Sequence, residues 1–118
     1  MLAVIFEVWP KDDARQDYLE TAADLRPLLA GIDGFVSVER FQSITEPGKM
    51  LSLSFWRDED ALTAWRKVAE HRAAQTMGRD VMFHDYRLRV AAIVRDYGMH
   101  DRAAAPADSR VVHDVGKV

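Results

Sequence analysis

The sequence of 118 residues predicts an α+β domain built on an antiparallel sheet. Segments of strand length alternate with amphipathic helical segments in the order strand, helix, strand, strand, helix, strand. The two middle strands flank a Pro-Gly turn signal, as in a β-hairpin. The composition, 48% hydrophobic and 30% charged, is that of an ordinary globular domain with one modest core.

The first predicted strand and helix fill the N-terminal third of the chain. Residues 2–9 are apolar except for Glu7, which is typical of a strand covered on both faces. Asp12 and Asp13 then begin an amphipathic helix. Pro27 lies within this helix and should kink it or begin a new last turn. The helix buries a stripe spaced by three and four residues: Tyr18, Ala22, Leu25, Leu29 and Ile32.

A hairpin follows, with its arms at residues 35–43 and 51–56. Pro47 and Gly48 between the arms fit a type II turn, which requires a positive φ at its third residue. Strict alternation divides the first arm into two faces. One face carries Phe35, Ser37, Glu39 and Phe41, and the opposite face carries Val36, Val38, Arg40 and Gln42. Both faces therefore mix charged and apolar side chains.

The second helix and the last strand complete the order. Residues 57–60, Arg-Asp-Glu-Asp, supply a cap and first-turn acids for a helix that continues through Trp65. After a break, a further helical segment is predicted at residues 69–77, and the last strand at residues 81–97. Alternation in that strand places Tyr86, Leu88 and Val90 on one face and Phe83, Asp85, Arg87 and Arg89 on the other.

This order of elements predicts the ferredoxin-like, split βαβ fold, in which two helices cover one face of a four-stranded antiparallel sheet. The other face would expose too much apolar surface for a monomer, so we predict a homodimer packed sheet to sheet. Four charged residues of the strands admit two interpretations. They form ion pairs that set the register of this interface, or they are solvent-side charges paired across one sheet: Glu7, Glu39, Arg87 and Arg89.

We assign residues 1–98 to the folded domain and residues 99–118 to a C-terminal extension. The extension loses the periodicity and gains Ala, Pro and Asp, which is typical of a flexible segment. The alternative is that it crosses to the partner subunit through Val111 and Val112.

Charge and composition exclude several classes of partner. The net charge of −3 and the scattered basic residues argue against nucleic acid binding. The absence of cysteine excludes disulfides and thiolate metal sites and fits a reducing compartment. No apolar run reaches the ~20 residues of a membrane helix, and no basic segment precedes the N-terminal apolar run. We therefore expect a cytoplasmic protein with no membrane partner.

Several stretches of the chain together carry a resemblance to a known family. They are GFVSVERFQS at residues 34–43, GK with LSLSFW at 48–56, AWR at 64–66, EHR with AQ at 70–75, and DY at 85–86. Through these stretches, residues 1–98 resemble the antibiotic biosynthesis monooxygenase domain family of the dimeric α+β barrel superfamily. The resemblance implies a homodimer with one pocket per subunit, between the helices and the sheet. It leaves the reaction open, since the superfamily includes cofactor-independent oxygenases, haem-degrading enzymes and domains without an assigned substrate.

The resemblance also implies a role for one tryptophan. Trp65 matches the helix tryptophan that relatives of both oxidising classes place near their substrate. Counting forward from it, the axial histidine of the haem-degrading relatives falls at Gln75, with His71 one turn earlier. The asparagines that these relatives use are absent, because Ala61 precedes the tryptophan by one turn and Glu7 or Val8 occupies the first strand. Both mechanisms therefore lack a polar partner here.

The residues themselves predict a site on the second helix. His71 and Gln75 are four apart and share one helix face. We predict His71 as a general base, with Gln75 and the indole N–H of Trp65 as donors to an oxyanion. Phe83 and Tyr86 are predicted to contact the substrate. Purely structural roles stay open as alternatives, since Trp65 and Tyr86 are also typical core residues and His71 is typical of a surface.

The remaining histidines do not form a metal site. His84, His100 and His113 are dispersed, without the spacing of a metal-binding pair. Three functions follow from the sequence. The first is a cofactor-independent monooxygenase acting on a small aromatic phenol or quinol. The second is a haem-binding or haem-degrading protein, and the third is a non-catalytic dimer that binds a small ligand.

Overall fold

The structure, a computed structural model, describes the backbone of residues 1–75 and 82–114, and the side chains of residues 1–69 and 82–114. A four-stranded antiparallel sheet in the order β2-β3-β1-β4 forms its centre. The strands are β1 (Leu2–Pro10), β2 (Phe35–Gln42), β3 (Met50–Trp56) and β4 (Phe83–Ala92). The helices are α1 (Arg15–Ala30), which follows a 3-10 turn at Asp12–Ala14, α2 (Glu59–Gln75) and α3 (Ala107–His113). The predicted α+β, ferredoxin-like fold is confirmed.

The strand register separates an inner face, which α1 and α2 cover, from an outer face. The inner face carries Leu2, Val4, Phe6, Val8, Phe35, Val38, Arg40, Gln42, Met50, Ser52, Ser54, Trp56, Tyr86, Leu88, Val90 and Ala92. The outer face carries Ala3, Ile5, Glu7, Trp9, Ser37, Glu39, Phe41, Leu51, Leu53, Phe55, Asp85, Arg87, Arg89 and Ala91. Successive strand residues alternate between the two faces, so the register alone fixes this division.

Two core clusters lie between the helices and the inner face. The first cluster joins the C-terminal end of α1 to the start of α2 around Trp56, which is 1% exposed. The second cluster joins the N-terminal end of α1 to β1 and β3, and its members are Val8, Tyr18 and Met50. α1 thus follows the strands lengthwise from one cluster to the other. Burial of these side chains is the main stabilising contribution to the fold.

The start of α2 is held by a turn that only glycine fits well. Gly34 has a φ of +92°, and a Cβ there would lie 2.8 Å from the Cβ of Ala61. Asp58 caps the helix, because its carboxylate accepts a hydrogen bond from the Ala61 backbone N–H at 3.0 Å. Arg57 donates to this carboxylate and to that of Asp33, which lowers the pKa of both acids. The N-terminus of α2 is therefore fixed against β2.

α1 contains Pro27 and runs to Ala30, three residues later. Three local predictions were wrong. α2 continues to Gln75 without the predicted break. The hairpin turn is not type II, since Gly48 lacks a positive φ, although the Lys49 N–H donates to the Glu46 carbonyl at 3.0 Å. β4 ends at residue 92, so it is shorter than predicted.

Two β-bulges explain two further errors. Pairing shifts between Phe35 and Ser37, so Phe35 faces inward, opposite Trp56, while Ser37 faces outward. The prediction that these two residues share a face was therefore wrong. A second shift, at Trp9 and Pro10, moves Phe83 to the inner face. A bulge inserts one extra residue into one strand, so the residues before it on that strand point to the opposite face of the sheet from the one that alternation predicts.

The C-terminal extension contains α3 and is organised around one arginine. Arg102 donates hydrogen bonds to the carboxylate of Asp114 at 2.9 Å and to the hydroxyl of Ser109 at 2.8 Å. Its guanidinium carbon lies 5.3 Å from the ring centroid of Tyr97. These contacts join the two ends of the extension. Among the described residues, no helix has the length and apolarity needed to cross a bilayer.

Candidate active site

Four aromatic rings meet on the inner face where β1 ends and β4 begins. The ring centroid of Phe6 lies 5.7 Å from that of Tyr86 and 6.2 Å from that of Phe83. Tyr18 of α1 contacts Phe83 edge-on at 5.5 Å. Such edge-to-face arrangements are the preferred geometry of aromatic pairs. This group, Phe6, Tyr18, Phe83 and Tyr86, is called the aromatic cluster below.

The aromatic cluster includes both predicted substrate-contacting residues. Phe83 and Tyr86 lie on one face of the sheet, with their ring centroids 6.4 Å apart. Strict alternation had predicted opposite faces for them. The bulge opposite Pro10 causes the difference, because it moves Phe83 inward. Tyr86 is 42% exposed and Leu88, beside it on β4, is 53% exposed, so this part of the inner face is open. An open apolar surface with a phenolic hydroxyl is suited to a small aromatic ligand.

Trp65 belongs to the other end of the molecule. It is half-buried and packs against the first core cluster, with its ring centroid 6.4 Å from that of Trp56. The Trp56 indole N–H donates to the hydroxyl of Ser54 at 2.8 Å, next to which Ser52 is also buried. The structure thus places Trp65 with core residues, while Phe83 and Tyr86 belong to the second cluster. Two small serines on β3 separate the clusters.

His71 and Gln75 lie on the last turns of α2, but their side chains lie outside the described residues. The continuous helix keeps the two residues on one face, since they are four apart. Their predicted roles as base and donor stay predictions. The predicted segment at residues 69–77 extends into residues 76–81, which lie outside the described residues as well.

The sequence reasoning did not assign Arg40 to the site. Arg40 lies on the inner face of β2, opposite the buried Ser52, and is half-buried. Its guanidinium carbon lies 6.0 Å from the ring centroid of Tyr18, so it approaches the aromatic cluster. Its Nε is buried and has no hydrogen-bond partner among the described residues. Alternation with Val38 could have shown that it faces inward, but only the register shows which residues it meets.

On the outer face, in contrast to Arg40, the carboxylate of Glu7 is paired within the chain. Glu7 accepts hydrogen bonds from Lys49, at 2.7 Å, and from Arg89. These two contacts lower the pKa of the Glu7 carboxyl, and the hydrogen bond from Lys49 makes the largest contribution. Of the two interpretations of the strand charges, pairing across one sheet is confirmed for Glu7 and Arg89. Glu39 and Arg87 lie exposed on the same face.

A shallow depression of about 320 Å³ lies beside this ion-pair group on the outer face. Its lining has four apolar and four polar or charged residues: Ile5, Phe41, Met50 and Leu51, and Glu7, Gln42, Ser43 and Lys49. It is open to solvent and lies on the opposite side of the sheet from the aromatic cluster. The described residues contain no group of three or more acidic or histidine side chains arranged to hold a metal ion.

Comparisons with known proteins show what the chain is similar to. The family model described as antibiotic biosynthesis monooxygenase matches residues 1–77. A jasmonate monooxygenase of Pyricularia oryzae is 44% identical over 119 residues, which include 100% of this chain and 55% of that protein. The protein YqjZ of Bacillus subtilis is 37% identical over 93 residues, 79% of each chain. The chain therefore spans about half the length of the first of these relatives.

Two solved structures share the fold. Rv0793 of Mycobacterium tuberculosis has a TM-score of 0.69 at 18% identity and covers 82% of this chain and 98% of its own. PA3566 of Pseudomonas aeruginosa has a TM-score of 0.65 at 14% identity, with coverage of 79% and 93%. At these identities the likeness extends to the fold alone.

Proposed function

The chain belongs to the antibiotic biosynthesis monooxygenase family, and from this premise we propose that it is a monooxygenase of a small aromatic phenol or quinol. The observation that carries the proposal is the aromatic cluster on the open part of the inner face. Its rings would stack on an aromatic substrate, and the hydroxyl of Tyr86 would hydrogen-bond to it. The family resemblance implies a pocket between the helices and the sheet, and the aromatic cluster lies on that side of the sheet.

The proposed reaction needs no cofactor, because the substrate supplies all the electrons. The phenol loses its proton to His71, and the phenolate then reduces O₂. One oxygen atom replaces a ring C–H as a carbonyl and the other leaves as water, so that phenol and O₂ give a quinone and water. Gln75 would stabilise the developing negative charge. Trp65 packs against the first core cluster, away from a substrate on the aromatic cluster. Haem is the alternative cofactor, with His71 as its axial ligand.

A second substrate class is favoured by the 44% identity to a jasmonate monooxygenase. Jasmonate is an aliphatic carboxylate, and hydroxylating one of its C–H bonds consumes two electrons that the substrate does not supply. A reductant such as ascorbate must therefore be added, and it leaves as dehydroascorbate while O₂ yields the alcohol and water. The two classes differ in this requirement for a reductant.

We also propose that the protein is a homodimer joined through the outer face. Four half-buried apolar side chains of β1 and β3 and one exposed phenylalanine support this: Ile5, Leu51, Leu53, Phe55 and Phe41. Contiguous apolar patches of this kind mark interaction surfaces. A second copy presents the same patch, as a two-fold symmetric interface requires.

Oxygen uptake and product mass test the proposed function. The purified protein is mixed with a panel of electron-rich phenols, and separately with jasmonic acid and ascorbate. We expect turnover of at least one compound, and a loss of about 100-fold or more in kcat for His71→Ala, as is usual for a missing general base. His113→Ala, on the exposed α3, is the matched control and should keep full activity.

Two outcomes would overturn the proposal. No oxygen uptake with any compound would leave a ligand-binding domain. A saturable Soret shift at one haem per subunit, lost in His71→Ala, would instead favour the haem alternative.

A further inference from the structure

We propose that Arg40 binds the carboxylate of the ligand, so that the inner face accepts small, largely apolar carboxylic acids. The inference concerns the same site as the proposed function and deepens it by naming the chemical class of the ligand. It rests on the surroundings of this one side chain, on its register in the sheet and on the charge of the inner face.

The first observation is the missing partner. Three described arginines are half-buried: Arg15, Arg40 and Arg102. Arg15 donates to the Gln42 side chain at 2.7 Å, and Arg102 donates to the Asp114 carboxylate at 2.9 Å. Arg40 instead has a buried Nε with no acceptor and no acidic partner among the described residues. A partly buried guanidinium normally lies beside an acceptor, because leaving it unpaired is costly.

The second observation is the charge of the inner face. Among the inner-face residues of the four strands, Arg40 is the one charged side chain. Glu39, its neighbour in sequence, faces outward. The described strands therefore offer no carboxylate with which Arg40 could pair on its own side of the sheet. An anionic group on a ligand would supply the missing acceptors.

The third observation is the order of side chains beside the guanidinium. Arg40, Ser52 and Phe6 form one row across three neighbouring strands of the inner face. Ser52 in the middle has a small side chain, and two strand spacings, about 10 Å, separate the backbones of its neighbours. Tyr18 lies against both Arg40 and Phe83, so it connects the guanidinium to the aromatic cluster. A molecule with an anionic end and an apolar body fits this order of side chains.

The chemistry favours a carboxylate. The guanidinium presents its N–H donors in a planar fork that matches the two oxygens of a carboxylate. Lysine would present a point charge without that geometry. The apolar body of the acid would then extend toward the aromatic cluster, whose exposed member is Tyr86.

Two fluorescent probes with the same scaffold test this inference on the full chain. One is 8-anilino-1-naphthalenesulfonate, which is anionic, and the other is N-phenyl-1-naphthylamine, which lacks the sulfonate. We expect Arg40→Met to weaken binding of the anionic probe about tenfold or more, the usual effect of losing a charge-assisted hydrogen bond. Binding of the neutral probe should change less than twofold. The carboxylate 3-phenylpropionate should displace the anionic probe from the wild type, and its methyl ester should not.

Matched variants separate a local effect from a general one. Arg87→Met removes an exposed arginine from the outer face and should leave both affinities unchanged. Arg40→Lys keeps the charge and loses the fork, so it should bind the anionic probe between the wild type and Arg40→Met. Near-ultraviolet circular dichroism of each variant should match the wild type, because Arg40 gives up no hydrogen bond among the described residues.

Several results would overturn the inference. They are no saturable binding of the anionic probe to the wild type, equal losses in Arg40→Met and Arg87→Met, and equal displacement by the acid and its ester. Failure of the proposed function looks different. In that case the acid binds through Arg40 while no compound supports oxygen uptake, and the protein is a carboxylate-binding domain.

Discussion

The two faces of the sheet hold their charges in opposite ways. On the outer face, Glu7 is joined to Lys49 and Arg89, so its charge is matched within the chain. On the inner face, Arg40 is half-buried beside Tyr18, and its Nε has no partner among the described residues. Both faces belong to the same four strands, so the difference lies in the side chains and not in the backbone.

The two arrangements of charge are suited to different partners. A matched ion pair beside apolar residues can be covered by another protein surface without leaving a buried charge unpaired. An unpaired cation beside aromatic rings still needs an acceptor, which a small anionic molecule can supply. The outer face is therefore suited to a second copy of the chain, and the inner face to a ligand.

The largest expected difference between the two faces comes from a loss of core packing on the inner face. Trp56→Ala removes a side chain that is 1% exposed and leaves the Ser54 hydroxyl without its donor. We expect a loss of about 3–5 kcal/mol in the free energy of unfolding, as for other large-to-small core substitutions. Urea denaturation at several protein concentrations measures it, and the loss should not depend on concentration.

Phe55→Ala is the matched variant on the outer face, one residue away. Phe55 is half-buried in the single chain, so its removal should cost less than that of Trp56. If a second copy covers Phe55, the cost should depend on protein concentration. Equal, concentration-independent losses in both variants would contradict the assignment of distinct roles to the two faces.

The sequence predicted the order of the elements because helical and strand periodicities differ strongly. Tyr18, Ala22 and Leu29 were placed in the buried stripe of α1 by spacing alone, and all three are buried. The face of the sheet on which each strand residue lies was harder to predict. Phe35 and Phe83 were given the wrong neighbours, because a bulge depends on pairing with another strand and leaves little trace in the local pattern.

The candidate site was predicted only in part for the same reason. Phe83 and Tyr86 were chosen as substrate contacts, and they do meet, but through a bulge that alternation did not include. Phe6 and Tyr18 join them from β1 and α1, which are distant in sequence. The sequence placed Arg40 on one face of a strand. That its Nε has no partner among the described residues is visible only in the folded structure.

The next effect in size concerns the assembly. Leu53 lies half-buried near the middle of the outer face, opposite Ile5 on the neighbouring strand. Leu53→Asp would bury an unpaired carboxylate in the proposed interface, which is strongly unfavourable. We expect the dimer dissociation constant to rise about 100-fold or more, measured by analytical ultracentrifugation.

Leu88→Asp is the control for that measurement. Leu88 lies on the inner face of β4 and is 53% exposed, so an acid there should leave the dimer intact. A Leu53→Asp protein that stays dimeric at micromolar concentration, or a monomeric wild type, would refute the proposed use of the outer face.

The smallest expected effect is on the pH dependence of stability, and it comes from the ion-paired carboxylate of Glu7. The pKa of Glu7 is lowered from its usual 4.5 by hydrogen bonds from Lys49 and then Arg89. The ionised carboxylate therefore stabilises the folded state above the pKa of the unfolded chain, and this contribution is lost as the pH falls through the lower, folded pKa. The melting temperature of the wild type should exceed that of Glu7→Gln at pH 7, and the gap should narrow below about pH 4.5.

Salt should narrow the same gap, because these side chains are partly exposed and their attraction is screened. Glu39→Gln is the matched control, since Glu39 is exposed on the same face and has no ion pair among the described residues. Its melting temperature should follow the wild type at each pH. A gap for Glu7→Gln that persists unchanged at pH 3 would mean that its carboxylate acts through packing, and the contrast between the two faces would then rest on Arg40 alone.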